Sequence, residues 1–314
     1  MEMESTDRTR LISEGPGPAP GLGTKFVNYC DRNASWIMPL PAMLATALLI
    51  IFPVFYLLYM SAHEWFLLSS DGPVFVGLGN YIALLSDERF LGALGRTGLF
   101  TAMGLVIEMP LGLAIAVLFN EQFPGRGLMR TLLLLPMVAT PVAMALVWVM
   151  MLDPGMGVIR YLLSLVGISG IAWLSDPVIV IPALVMVDAW QWTPMVALIC
   201  VAGLSALPTE PFEAARVDGA NAWQRFVHLT VPMVWPALMV AALFRFVELL
   251  KVVEHIYVMT RGGPGFASET INVYNFLTGL FYYKVGYGSS MSVVIFVMVL
   301  AASAILIRAR RATW

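Results

Sequence analysis

Ile37-Met-Pro-Leu-Pro-Ala-Met-Leu-Ala-Thr-Ala-Leu-Leu-Ile-Ile-Phe-Pro-Val-Phe-Tyr-Leu-Leu-Tyr-Met60 runs for 24 positions without a charged residue. A helix needs about 20 apolar residues to cross a bilayer core, so this stretch is long enough to span one. It does not alternate in polarity, which excludes a strand of a membrane barrel. Five more runs of similar length follow: Thr97 to Phe119, Thr131 to Leu152, Val178 to Gly203, Val231 to Leu250 and Tyr287 to Ile307. The second contains only Glu108, the fourth only Asp188, and the fifth Arg245 and Glu248. Composition agrees: 59% of the 314 residues are hydrophobic, 12% are charged, and the mean hydropathy is +0.82. An ordinary soluble domain has about 25% charged residues. The expected fold is therefore an all-α membrane protein with six transmembrane helices, kinked at prolines such as Pro53, Pro110, Pro141 and Pro194.

Residues 1–36 are expected to form a largely disordered cytoplasmic tail, and residues 37–314 a six-helix transmembrane domain. The tail holds Arg8, Arg10, the Gly/Pro-rich run Gly15 to Gly21, Lys25 and Arg32. It is too long and polar for a signal peptide. Lys and Arg then set the orientation. With the amino terminus inside, eleven of them fall on inside segments and five on outside loops, with Arg245 and Lys251 set aside. Both termini and the segment from Ser205 to Thr230 are thus expected in the cytoplasm. A net charge of -2 gives no basic footprint for nucleic acid. Cys30 and Cys200 suggest no disulfide framework.

The inside segment at 205–232 reads Ser-Ala-Leu-Pro-Thr-Glu-Pro-Phe-Glu-Ala-Ala-Arg-Val-Asp-Gly-Ala-Asn-Ala-Trp-Gln-Arg-Phe-Val-His-Leu-Thr-Val-Pro. Thr209 is expected to cap a helix with Glu210 and Pro211 in its first turn. Gly219 supplies a left-handed end. Asn221 with Gln224 forms a variant capping box for a second short helix, closed off by Pro232. On the residues alone this is either a connector on lipid headgroups or a docking element.

The spacing of Glu213-Ala214-Ala215, Gly219 and Leu229-Thr-Val-Pro232 resembles the EAA loop of permease subunits of bacterial ATP-binding-cassette importers. Leu229 and Val231 replace the usual Ile and Leu. Glu213 to Ala220 resembles the carbohydrate-uptake branch in particular. So do Gly77-Leu-Gly-Asn-Tyr81, Ile256 to Pro264 with Ser268-Glu-Thr270, and Phe281 to Ser292. The resemblance covers about residues 36–310. It implies a coupling helix between helices 4 and 5 that docks on a separate ATPase subunit. Glu213, Ala214, Ala215, Asp218 and Gly219 would be its core.

The resemblance also implies a bacterial inner-membrane location, an ATPase dimer, an external solute-binding protein and a second permease, with a heterodimer favoured by the long tail. The cargo would be a sugar, a polyol or a related carbohydrate derivative. No P-loop is present, because Lys25, Lys251 and Lys284 follow Thr24, Leu250 and Tyr283 rather than Gly. The chain is accordingly expected to be no enzyme, with ATP and Mg in the partner and no cofactor or metal of its own. The alternative on composition is an ion-coupled secondary transporter with two related halves, but no convincing internal repeat is visible.

Charges inside a membrane mark function by default. Arg245, Glu248, Lys251 and Glu254 recur every third residue, as a self-neutralising ladder or as a lining for the solute path. Asp188, Trp190, Gln191 and Trp192 combine aromatic rings with polar groups, which suits either packing or a sugar. Together with Glu248 and Lys251 they are the candidate substrate path. Glu108 is expected to pair with a neighbouring helix. Gly262-Gly263-Pro264-Gly265 must form a turn or flexible loop, which the resemblance places near the binding protein or outer gate.

Overall fold

The computed structural model describes residues 31–312, so most of the amino-terminal tail, with Cys30, lies outside the described residues. A single turn at Ala34–Ile37 leads into α1 (Leu40–Ser61), whose apolar side chains are nearly all exposed. By contact the chain divides at Tyr56 and Leu57. From Leu57 onward the order is β1 (His63–Glu64), β2 (Val74–Phe75), α2 (Gly79–Leu85), α3 (Glu88–Asn120), α4 (Arg126–Val138), α5 (Pro141–Met151) and α6 (Val158–Ser164). Then come α7 (Val180–Ser205), α8 (Glu210–Val217), α9 (Ala222–Arg225), α10 (Val231–Lys251), α11 (Glu254–Thr260), α12 (Ile271–Phe276) and α13 (Val285–Ala312). β1 and β2 form one small antiparallel pair, His63 opposite Phe75, which helical patterning does not reveal.

Among the described residues five helices are long and apolar enough to cross a membrane, or six if one bent pair counts as a span. The bent pair is the expected third span. α4 and α5 meet at 98° instead of forming one rod from Thr131 to Leu152. Thr140 precedes Pro141 and is extended, with ψ 139°, because the proline ring disfavours helical backbone just before it.

The fifth span also differs. Pro232 does not close off the second short helix: α9 continues through a π-turn at Phe226–Thr230 into α10, and the whole run from Ala222 to Lys251 is 30 residues. Proline has no N–H for the usual bond four residues back, and the wider turn shifts the pairing so that Val231 N–H meets Phe226 O.

α3, α7 and α10 pack on one another. Small residues let them approach: a Cβ placed on Gly112 would lie 2.5 Å from Val196 Cγ1, and one on Gly203 2.5 Å from Ala237 Cβ. Phe100, Leu184, Leu249 and Ile256 form one buried cluster, and Leu113, Val196, Cys200 and Val234 a second. A third joins Leu84, Phe90, Ile271 and Met291.

Candidate functional site

Apart from the helix that runs on past Pro232, the segment between α7 and α10 folds as the turn chemistry dictates, with one exception. α8 begins after Thr209, but the Thr209 hydroxyl makes no capping bond: its backbone is already helical, at ψ -24°, and only its carbonyl serves Phe212 and Glu213 N–H at 3.0 and 3.1 Å. At the other end Gly219 N–H bonds Arg216 O at 3.1 Å and Ala220 N–H bonds Ala215 O at 2.9 Å. This pair of bonds is a Schellman closure, and Gly219 at φ 81° occupies its left-handed position. Asn221 and Gln224 then complete the reciprocal capping box, at 2.9 and 2.8 Å. Glu213, Ala214, Asp218 and Gly219 are exposed, while Ala215 is half-buried. Beside them stand Val217 and Trp223, 89% and 70% exposed. Sequence reasoning did not single out these two apolar side chains, although both lie within the quoted loop. Behind α8, a cavity of about 370 Å³ separates Phe212 and Arg216 from the end of α3 at Asn120.

The charged ladder does not form. Arg245 leaves it and reaches across to two other helices, donating twice to Glu108, from Nε to Oε2 and from Nη2 to Oε1 at 2.9 Å, and once to Asp188 Oδ2 at 2.5 Å. These three side chains are 1%, 0% and 3% exposed. The expected partnership of Glu108 with a neighbouring helix is thus made. Only Glu248 and Lys251 pair along the helix, at 3.1 Å, and they are exposed. Glu254 falls beyond the end of α10, where Val252 turns extended at ψ 130°. The i to i+3 spacing places residues on one face only while the helix lasts.

The aromatic and polar cluster on α7 separates in the same way. Asp188 and Trp192 line a polar cavity of about 200 Å³ with Pro141, Arg245, Glu248, Lys251, Glu254 and His255. The Arg245 guanidinium lies 5.6 Å from the Trp192 ring centroid. Gln191 is fully buried behind that cavity, accepting from His255 Nε2 at 2.7 Å and donating to Ala139 O at 3.2 Å. Trp190 lies instead edge-on to Trp148, 5.4 Å away, and lines a separate apolar groove of about 750 Å³ with Leu111, Pro136 and Met186. His255 was not foreseen, because nothing local ties it to a residue 64 positions away. Burial pushes its imidazole down to about 4, Arg245 adding to that against the pull of Glu254. Among the described residues no three His, Cys, Asp or Glu groups are placed to hold a metal.

The glycine run is a braced turn. Gly262 and Gly265 have positive φ. The Ser268 hydroxyl donates to Gly263 O and shares a hydrogen bond with Thr260, both at 2.7 Å. Next to it Glu269 takes two bonds from Arg89, at 2.8 and 2.6 Å, and the Arg89 guanidinium lies 4.2 Å from the Phe266 ring centroid. Asp87, the cap of α3, accepts from Arg89 and Phe90 N–H at 2.9 and 3.2 Å and from the Tyr274 and Tyr287 hydroxyls at 2.7 Å each. Burial works against its charge, but these four donors together hold its carboxyl below the ordinary value of 3.8. Burial first, and then the Asp87 carboxylate, push the Tyr274 phenol upward.

Residues 108–312 match the family described as binding-protein-dependent transport system inner membrane component. The trehalose/maltose transport system permease protein MalF of Thermococcus litoralis is 34% identical over 291 residues, covering 92% of this chain and 97% of that protein. The trehalose transport system permease protein SugA of Mycobacterium tuberculosis (strain ATCC 25618 / H37Rv) is 33% identical over 279 residues, 88% of this chain and 89% of that one. A chain of the bacterial alginate ABC transporter, solved in complex with an alginate pentasaccharide-bound periplasmic protein, has the same fold. Its TM-score is 0.79 at 21% identity, over 92% of this chain and 98% of that one.

Proposed function

Since the chain belongs to the binding-protein-dependent transport system inner membrane components, we propose that it is the transmembrane subunit of an ATP-driven importer for a sugar, polyol or related carbohydrate derivative. It is a multi-pass membrane protein and a transport subunit. The importer reading displaces ion-coupled secondary transport. The cargo class is supported by the sugars named in its relatives. ATP and Mg²⁺ belong to a partner ATPase dimer. An external binding protein delivers the solute, and a second, different permease completes the pathway. Both termini and the 205–232 loop face the cytoplasm of a bacterial cell.

The observation that carries this reading is the exposed α8 with its Schellman closure and following capping box. Such an end is stiff, and α9 continues through the π-turn into α10, so a push on α8 is delivered to a membrane helix. Glu213, Ala214, Ala215, Asp218 and Gly219 form the docking core, with Val217 and Trp223 adding apolar contact. Asp188, Trp192, Glu248 and Lys251 line the solute path, with Gln191 supporting it from behind. Gly262, Gly263 and Pro264 form part of the outer loop that meets the binding protein.

The test is co-purification of this chain with its second permease and ATPase, beside Glu213→Lys and Gly219→Asp. A Cβ at Gly219 meets nothing within 4 Å. The Gly219→Asp cost is therefore backbone strain alone, about 1 kcal/mol, which leaves the protein inserted. Both variants are expected to lose ATPase assembly or binding-protein-stimulated hydrolysis. Wild-type behaviour in both would refute the docking assignment.

A further inference from the structure

The cavity between α7, α10 and α11 is lined by charged side chains of both signs together with Pro141, Trp192, Val252 and His255. Asp188, Glu248 and Glu254 contribute carboxyl groups to it, and the two cations present are both engaged: Arg245 by Glu108 and Asp188, Lys251 by Glu248. His255 adds an acceptor of a different kind. Gln191 uses its amide N–H on Ala139 O, so its Oε1 must accept from His255 Nε2. That fixes the imidazole hydrogen on Nε2 and leaves Nδ1 as a bare lone pair, an assignment made from the network. His255 is 2% exposed, and Nδ1 is buried without a hydrogen-bond partner. It stands 4.0 Å from Asp188 Oδ1, a second acceptor. Two acceptors that close disfavour each other unless a donor atom sits about 2.8 Å from both. The residues that line the cavity carry a formal charge of -1, from three carboxyl groups against Arg245 and Lys251.

Building on the importer reading above, we propose that this cavity selects the charge class of the solute: it takes a hydroxyl or ammonium group of an uncharged or cationic carbohydrate and turns away acidic ones. Phosphate, sulfonate and carboxylate groups bring only acceptors and negative charge to a wall that already holds both. At about 200 Å³ the cavity is smaller than the roughly 300 Å³ at which ligand pockets begin. It therefore receives one end of the solute, and the rest lies beyond this chain's own wall.

The experiment is equilibrium dialysis of radiolabelled glucose, glucosamine and glucose 6-phosphate against the detergent-solubilised complex of both permeases and the ATPase, without the binding protein. Glucose and glucosamine are expected to bind at least about tenfold more tightly than the phosphate. His255→Leu should weaken both about fivefold, the worth of one ordinary hydrogen bond. Glu254→Lys changes an exposed rim residue, so it keeps the test open if His255→Leu fails to fold. It should bring glucose 6-phosphate to within about threefold of glucose. Equal binding of the phosphate and glucose by wild type would overturn the proposal. So would the absence of binding by all three probes, or binding indifferent to both variants, which would mean that the cavity holds only water. ATP hydrolysis stimulated by the binding protein is measured on the same preparation. If hydrolysis is intact and the phosphate is preferred, only this inference falls; if no ATPase associates, the importer reading falls with it.

Discussion

Arg245→Met removes the one cation that faces both Glu108 and Asp188, and leaves two carboxyl groups together in a site where neither exceeds 3% exposure. Breaking a buried ion pair from one side costs about 3–5 kcal/mol. Here a single guanidinium satisfies carboxylates on two different helices through three hydrogen bonds, so the loss belongs at the upper end, about 5 kcal/mol. At roughly 2–4 °C per kcal/mol for a chain of this size, the melting temperature should fall by about 10–20 °C. The triple change Arg245→Met, Glu108→Leu, Asp188→Leu should recover at least half of that, because apolar replacement of a whole buried ionic group is often neutral or stabilising. Cys200 provides the readout. It is fully buried, so a thiol-reactive fluorophore reports its exposure on heating in detergent, in a Cys30→Ser background. A single variant melting within about 2 °C of wild type would refute the reasoning, and so would a triple variant melting below the single one.

Two further outcomes test the packing and the cap of α3. Gly112→Ala puts a methyl against Val196 and within 3.2 Å of the Ala197 backbone, and should cost about 1–3 kcal/mol. Gly98→Ala on the same helix meets nothing within 4 Å and should be neutral or slightly stabilising by the same melting assay. Asp87→Asn should lower stability at pH 7 by about 1 kcal/mol. A carboxyl held below its ordinary value stabilises the fold above that value and loses the contribution as pH falls through the folded one. The wild-type advantage over Asp87→Asn should therefore shrink once the pH drops below 3.8, and a constant gap from pH 7 downward would contradict the capping role.

The 205–232 loop was legible because its determinants are local. Gly219 at a left-handed position and the Asn221–Gln224 box follow from residues three or four apart. Thr209 failed as a side-chain cap because its own backbone had already entered the helix, a choice made by φ and ψ rather than by residue type. The third span read as one helix, since hydropathy does not register a change of direction. Pro141 was visible as an interruption, but the 98° turn at Ala139 and Thr140 required the extended backbone that precedes it.

Sequence by itself determined the apolar composition, the number of apolar runs, the turn chemistry of the 205–232 loop and the absence of a P-loop. Each depends on residue type or on neighbours within a turn or two. Tertiary structure alone decided that Arg245 abandons Glu248 and Glu254 for Glu108 and Asp188, 137 and 57 residues away. It alone brought His255 against Gln191 and turned Trp190 from the cavity that Trp192 lines. A buried charge must find its counter-charge wherever packing places one. Which helices lie within reach is set by close approaches such as Gly112 on Val196, which no spacing along the chain encodes.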